Sequence, residues 1–175
     1  QTGIGTGLFL YDRVAGTNTL VSHASGSPTA IANAGAAKPA LSGDGRYAAY
    51  LSTATDLVAG QSDPTSVNAV FLYDRLTGTN VLVSHANGSP ATAANATSGA
   101  PVVSGDGGTV VFTSQGTDLV AGQSDTLGTS DVFAYDRASG TVTLISRSTT
   151  AATTTAAGPS FGPVVSADGR YVAFY

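Results

Sequence analysis

The chain has no cysteine, methionine or tryptophan, and its 11 acidic residues are all aspartate. The missing cysteine excludes a disulfide framework, a thiolate metal site and a thiol nucleophile. Charge is scarce as well: charged side chains make up 10% of the sequence, against about a quarter in a typical globular domain. Seven basic residues, of which Lys38 is the single lysine, and a net charge of −4 do not make the basic stripe that nucleic acid or an anionic membrane requires, so neither is expected as a partner. No apolar run approaches the ~18 residues of a membrane span. Without glutamate, and almost without lysine, two strong helix formers are gone, whereas aspartate beside glycine or serine suits turns. Helix is therefore expected to be close to absent.

What the chain does have is a repeat with a constant spacing of 62 residues. Tyr11-Asp12-Arg13 returns as Tyr73-Asp74-Arg75 and Tyr135-Asp136-Arg137. Ser42-Gly43-Asp44-Gly45 returns as Ser104-Gly105-Asp106-Gly107 and, with one change, as Ser166-Ala167-Asp168-Gly169. A period of that size marks stacked supersecondary units, each of which needs its neighbours to bury its apolar face. With 42% apolar residues the chain can fill such a core.

The second copy shows what one unit contains. Residues 69–75 (AVFLYDR) and 81–85 are apolar, β-branched or aromatic, and Leu76-Thr77-Gly78-Thr79-Asn80 between them reads as a tight turn, so the segment predicts a hairpin. Residues 101–104 and 109–113 flank Gly105-Asp106-Gly107-Gly108 and predict a second hairpin, in which Asp-Gly supplies the positive φ of the turn. The expected fold is all-β, with about twelve short strands.

Two kinds of connector join the hairpins. Residues 53–68 and 115–130 share the run Thr-Asp-Leu-Val-Ala-Gly-Gln-Ser-Asp, whose Leu57-Val58 and Leu119-Val120 are expected to tuck under a sheet edge in an ordered loop. Residues 24–38, 86–100 and 148–162 are Ala/Thr/Ser/Gly/Asn-rich with few anchors and predict exposed excursions.

The run Pro-x-x-Ser-x-Asp-Gly-Arg-Tyr-x-Ala-Phe at 163–174, matched with Tyr50 in the last place at 39–50, resembles the WD40-like PD40 repeat of TolB-type β-propellers. The resemblance covers the strands of all three units and leaves the long connectors outside it. It implies four-stranded antiparallel blades, with this motif forming the inner two strands and the Val-Phe-x-Tyr-Asp-Arg-x-x-Gly-Thr hairpin the outer two. The middle copy departs from it, carrying Gly108-Thr109 where the others have Arg46-Tyr47 and Arg170-Tyr171, so one blade is expected to lack a contact that its neighbours make.

On that plan the single repeat domain 1–175 divides into an outer half-blade at 7–23, a blade at 39–85, a second blade at 101–147 and an inner half-blade at 163–175. Joining the two halves within one chain would give three blades, fewer than the four at which propellers start. Chains are instead expected to complete each other's half-blades head to tail, as a ring or a filament, because an unpaired apolar strand edge recruits partners.

Candidate chemistry is sparse. Asp44, Asp106 and Asp168 sit where a turn aspartate accepts local backbone hydrogen bonds. Asp12, Asp74 and Asp136, with Arg13, Arg75 and Arg137, stand at a strand end and read as cross-strand or blade-to-blade pairs rather than as catalytic groups. His23 and His85 occupy one repeat position, taken by Arg147 in the third copy, and read as surface residues because no third ligand stands at metal spacing.

Asp125 and Asp131 flank a Ser/Thr/Gly loop able to wrap calcium with oxygen donors. The preceding copy keeps Asp63, but has Ala69 at the second place with Asn68 beside it. In the first copy the two positions are Gln1 and Gly7, so the pair occurs once. No other cofactor is expected. The Thr-rich stretch at 148–157 and the sequons at Asn87 and Asn95 offer glycan acceptors in a host that glycosylates exported protein, with spacer the preferred reading.

No nucleophile–base pair or phosphate loop recurs. The sequence thus predicts a non-enzymatic, self-assembling structural or interaction propeller. Its composition points to a secreted or cell-surface location in a bacterium. A carbohydrate- or protein-binding propeller and the propeller part of a larger secreted hydrolase are the alternatives.

Overall fold

The computed structural model describes residues 6–175. These form twelve strands and no helix. The strands are β1 (Phe9–Asp12), β2 (Thr17–Leu20), β3 (Ala36–Leu41), β4 (Tyr47–Ser52), β5 (Ala69–Asp74), β6 (Thr79–Leu82), β7 (Ser98–Val103), β8 (Thr109–Ser114), β9 (Asp131–Asp136), β10 (Thr141–Leu144), β11 (Val164–Val165) and β12 (Val172–Ala173). Every pairing between them is antiparallel and joins strands adjacent in sequence, giving two four-stranded meanders, β3-β4-β5-β6 and β7-β8-β9-β10, and two two-stranded sheets, β1-β2 and β11-β12.

Two turns recur, each closed by its own aspartate. In the outer hairpins the N–H of Gly16, Gly78 and Gly140 donates to the carbonyl of Asp12, Asp74 and Asp136 at 2.8 Å, and each glycine has a φ of 67–69°. That left-handed conformation is cheap only for glycine. In the inner hairpins Ser42, Ser104 and Ser166 donate their hydroxyls to Asp44, Asp106 and Asp168, while the serine oxygen accepts the N–H of Tyr47, Thr109 or Tyr171 five residues on. The Ser-x-Asp-Gly motif is thus a closed local network.

The β3–β6 sheet is buried on both faces. Along β4, Tyr47 and Ala49 enter one core with Val70, Leu72, Val110, Phe112, Phe133 and Tyr135. Ala48 and Tyr50 enter the other with Val21, Ala69, Phe71 and Tyr73. Alternation with period two divides one strand between two cores. The opposed pairs Tyr50–Phe71 and Phe112–Phe133 stack with ring centroids 5.8 Å apart, repeating the same contact one unit on.

The inner turns also touch from sheet to sheet. Asp44 N–H donates to the Gly105 carbonyl at 3.3 Å, and Gly105 N–H to the Ala167 carbonyl at 2.8 Å. A Cβ on Gly105 would lie 2.9 Å from the Ala167 oxygen. Glycine is needed there for close approach, not for its φ.

Two expectations need correction. The first strand of each meander starts at Ala36 or Ser98, ahead of Pro39 and Pro101, because its register shifts between Ala37 and Ala40 and between Gly99 and Val102. The shift lets the strand pass a proline, which has no N–H to give the ladder. The first two Ala/Thr-rich connectors are anchored and not simply exposed excursions: Ala32, Ala93 and Ala94 are buried. Asn33 clasps the other connector, its side chain bonding the Thr55 backbone and hydroxyl and its N–H donating to Asp56, and Asn95 repeats this with Thr117 and Asp118. Leu57 and Leu119 are buried as expected, under a loop closed by Gln61 and Gln123, whose amides bond its backbone.

Candidate functional site

The Tyr-Asp-Arg positions are used unequally. Asp74 takes a forked ion pair from Arg46 on the neighbouring strand end, at 2.9 Å from Nε and 2.7 Å from the second nitrogen, and also accepts Leu76 N–H. The Arg46 hydrogen bonds hold its carboxyl below the usual range. Asp136 has Gly108 in place of that arginine and turns to Ser139, accepting its N–H and hydroxyl at 2.7 Å. Asp12 accepts Val14 and Ala15 N–H.

Arg137 donates to the Gly107 carbonyl at 2.9 Å and lies 4.5 Å from the centroid of the Tyr47 ring, with Arg46 on the same ring at 4.8 Å. Tyr47 fills the space left by Gly107 of the next sheet, where a Cβ would meet its ring at 2.0 Å. Gly107 is common to all three copies, as Gly45 and Gly169, so the socket for Tyr47 is built on a repeat glycine and not on the departure of the middle copy. Arg13 and Arg75 are exposed, with no ion pair among the described residues.

His23 and His85 are buried, which overturns their reading as surface residues. His23 Nδ1 faces the Ala24 carbonyl and Nε2 the Gly78 carbonyl, both at 3.0 Å, and its ring meets Tyr73 edge-on. His85 repeats the arrangement with Ala86, Gly140 and Tyr135. Each ring ties the end of one outer hairpin to the outer turn of the next sheet. The sequence signal was the shared repeat position, with Gly78 and Gly140 equally spaced from it.

Asp125 and Asp131 are brought together. Burial, then the nearby Asp125 charge, push the Asp131 carboxyl up to about 6 against one Ser146 hydrogen bond. Asp63 instead accepts the N–H and hydroxyl of Thr65, and Asn68 uses its backbone carbonyl to accept Ser98 N–H. Gln1 lies outside the described residues. Among those described, no three His, Cys, Asp or Glu side chains gather as a metal cluster, and no helix is long and apolar enough to cross a membrane.

The largest departure from the repeat lies in the two-stranded sheets. Four aromatics there are exposed at positions buried in the complete sheet: Phe9 is 43% exposed against 0% for Phe71, Tyr11 59% against 3% for Tyr73, Tyr171 62% against 2% for Tyr47, and Phe174 40% against 0% for Tyr50. Arg170 lies 5.0 Å from the Tyr171 ring centroid, as Arg46 does on Tyr47, but has no carboxylate partner among the described residues. Asp12, the counterpart of Asp74, has no ion pair among the described residues, though the charge of Arg75 reaches it. Among the described residues neither β1 nor β12 pairs beyond its own hairpin. The two half-sheets thus each carry, unpaired, part of what the complete sheet brings together.

No protein-family model matches the chain, and no curated protein matches it significantly. Among solved structures, the crystal structure of the tricorn protease is similar, with a TM-score of 0.54 at 12% identity over 97% of this chain and 13% of that one. The chain therefore spans about an eighth of that protein's length. That protein contains β-propeller domains, and the likeness at this identity speaks to fold: the chain is all-β, built of propeller-type antiparallel sheets.

Proposed function

We propose that this chain is a non-enzymatic structural and interaction module of the bacterial exterior, which assembles with copies of itself by completing its half-sheets between chains. The observation that carries the reading is the exposure, in both half-sheets, of aromatics whose counterparts are buried. The repeat supplies a register. In the complete sheet Tyr47 opposes Asp74, Ala48 opposes Tyr73, Ala49 opposes Leu72 and Tyr50 opposes Phe71. Shifting by the repeat sets Tyr171 of one chain against Asp12 of the next, Val172 against Tyr11, Ala173 against Leu10 and Phe174 against Phe9. Arg170 then meets Asp12 as Arg46 meets Asp74.

Burying four aromatics contributes about 1.5–3 kcal/mol each, against about 4–15 kcal/mol for lost translational and rotational freedom. The two ranges overlap, so burial of the aromatics offsets that cost and leaves the strand ladder and the Arg170–Asp12 pair to favour association. A rotation that closes after two chains gives a ring with six blades, and one that does not gives a filament.

Sedimentation of the 175-residue chain tests this. Assemblies larger than a monomer are expected at micromolar concentration, lost in Arg170→Asp and recovered when Arg170→Asp is mixed with Asp12→Arg. A compact monomer at that concentration refutes the reading. A second reading, the propeller part of a larger hydrolase, draws on the match to a fraction of a protease chain. It requires a catalytic domain in the same reading frame, which sequencing the gene decides.

A further inference from the structure

Asp125 and Asp131 stand at the two ends of a short loop, and each has one carboxylate oxygen committed to the fold. Asp125 Oδ1 accepts the N–H of Leu127 at 2.9 Å and of Gly128 at 3.0 Å, with the Thr155 hydroxyl at 3.5 Å. Asp131 Oδ1 accepts the Ser146 hydroxyl at 2.8 Å. The other oxygen of each, Oδ2, is buried without a hydrogen-bond partner among the described residues. Asp131 itself is 1% exposed. A buried, unsatisfied charged oxygen is costly, and at Asp131 the nearby Asp125 charge adds to that cost.

The fold does not require that cost. The same position in the preceding unit is Ala69, equally buried at the start of the equivalent strand. There Ser84 accepts Val70 N–H, and Ser146 accepts Val132 N–H in the same way. The repeat thus builds this strand start without a carboxylate. The acid at 131 adds desolvation and repulsion from Asp125 in return for one hydrogen bond from Ser146, a pattern that points to a ligand.

We propose that Asp125 and Asp131 hold a hard divalent cation, calcium, through their free Oδ2 atoms. The donor set is all oxygen, and the nearest side chains beyond the two acids, Ser146 and Thr155, are hydroxyls, so softer metals that select nitrogen or sulfur find no ligand. Calcium accepts irregular coordination and takes six to eight oxygens, leaving the remaining places to water and to carbonyls of residues 126–130. Magnesium demands a stricter octahedron and gives up its water reluctantly. With only two carboxylates the affinity falls in the range of extracellular modules, Kd about 10⁻⁴–10⁻³ M.

The test is a thermal melt of the full chain at pH 7.5 in chelator and in rising calcium chloride, with isothermal titration alongside. At tenfold excess over Kd a Tm rise of about 3–6 °C is expected. Asp131→Ala, which copies the residue already present at 69, is expected to melt at or above wild type in chelator and to lose the calcium response. Asp125→Asn loses it as well, and Asp63→Ala keeps it. No Tm rise and no binding heat at about 10 mM calcium, or an undiminished response in Asp131→Ala, overturns the proposal. So does a wild-type Tm that rises only on acidification, which would assign the two oxygens a shared proton instead of an ion.

Discussion

Glycines that look alike in sequence differ sharply in what they do. Gly45 and Gly107 have φ of 69° and 67°, but a Cβ on Gly45 meets open space and one on Gly107 meets the Tyr47 ring. Gly45→Ala is expected to cost about 1 kcal/mol, the backbone term alone. Gly107→Ala adds overpacking and is expected to cost about 3 kcal/mol or more, read as the difference in denaturation midpoints. Asp74→Ala removes a partly exposed ion pair and a turn acceptor, for about 1 kcal/mol, whereas Arg75→Ala is expected to leave the Tm unchanged. The Asp74 carboxyl is held low by Arg46, so its stabilisation is full above the unfolded value near 3.9 and fades as pH falls through the lower folded one. Acid melts should show the Asp74→Ala deficit shrinking below about pH 4. The turn roles of Asp44, Asp106 and Asp168 were legible because Ser-x-Asp-Gly closes on itself. The Tyr47 socket was not, since its two halves come from different units.

At the scale of elements, the hairpins were readable because alternation and Asp-Gly turns are local signals. The connectors were not. Buried alanines have no periodicity to betray them, and the Asn33–Asp56 and Asn95–Asp118 clasps join residues 23 positions apart. The clasp separates the two sequons. Asn95 uses its amide nitrogen on the Thr117 hydroxyl at 2.8 Å and its oxygen on Thr117 N–H at 2.9 Å, while Asn87 is exposed with no side-chain bond of this kind. In a host that glycosylates, peptide mass spectrometry is expected to find occupancy at Asn87 and little at Asn95. His85→Ala cuts the tie between adjacent outer hairpins and leaves the Gly140 carbonyl unpaired. A loss of about 1–3 kcal/mol is expected, with faster hydrogen exchange in β10.

For the molecule as a whole, the repeat places a sheet buried on both faces beside half-sheets that display the corresponding residues to solvent. Deleting residues 163–175 removes β11 and β12 and is expected to abolish ordered assembly while leaving the β3–β10 meanders folded, as circular dichroism and sedimentation would report together. The stacked inner turns add a mechanical consequence. Within the chain Gly43 faces the turn of Gly105, and Gly105 faces the turn of Ala167, so the residue that points forward at each joint is a glycine and each turn nestles on the next. The third turn presents Ala167, whose methyl group would point at the first turn of an arriving subunit. In the proposed assembly the joint between subunits would then be held looser than the joints inside one, a seam expected to part first under load or dilution and to be closed by Ala167→Gly.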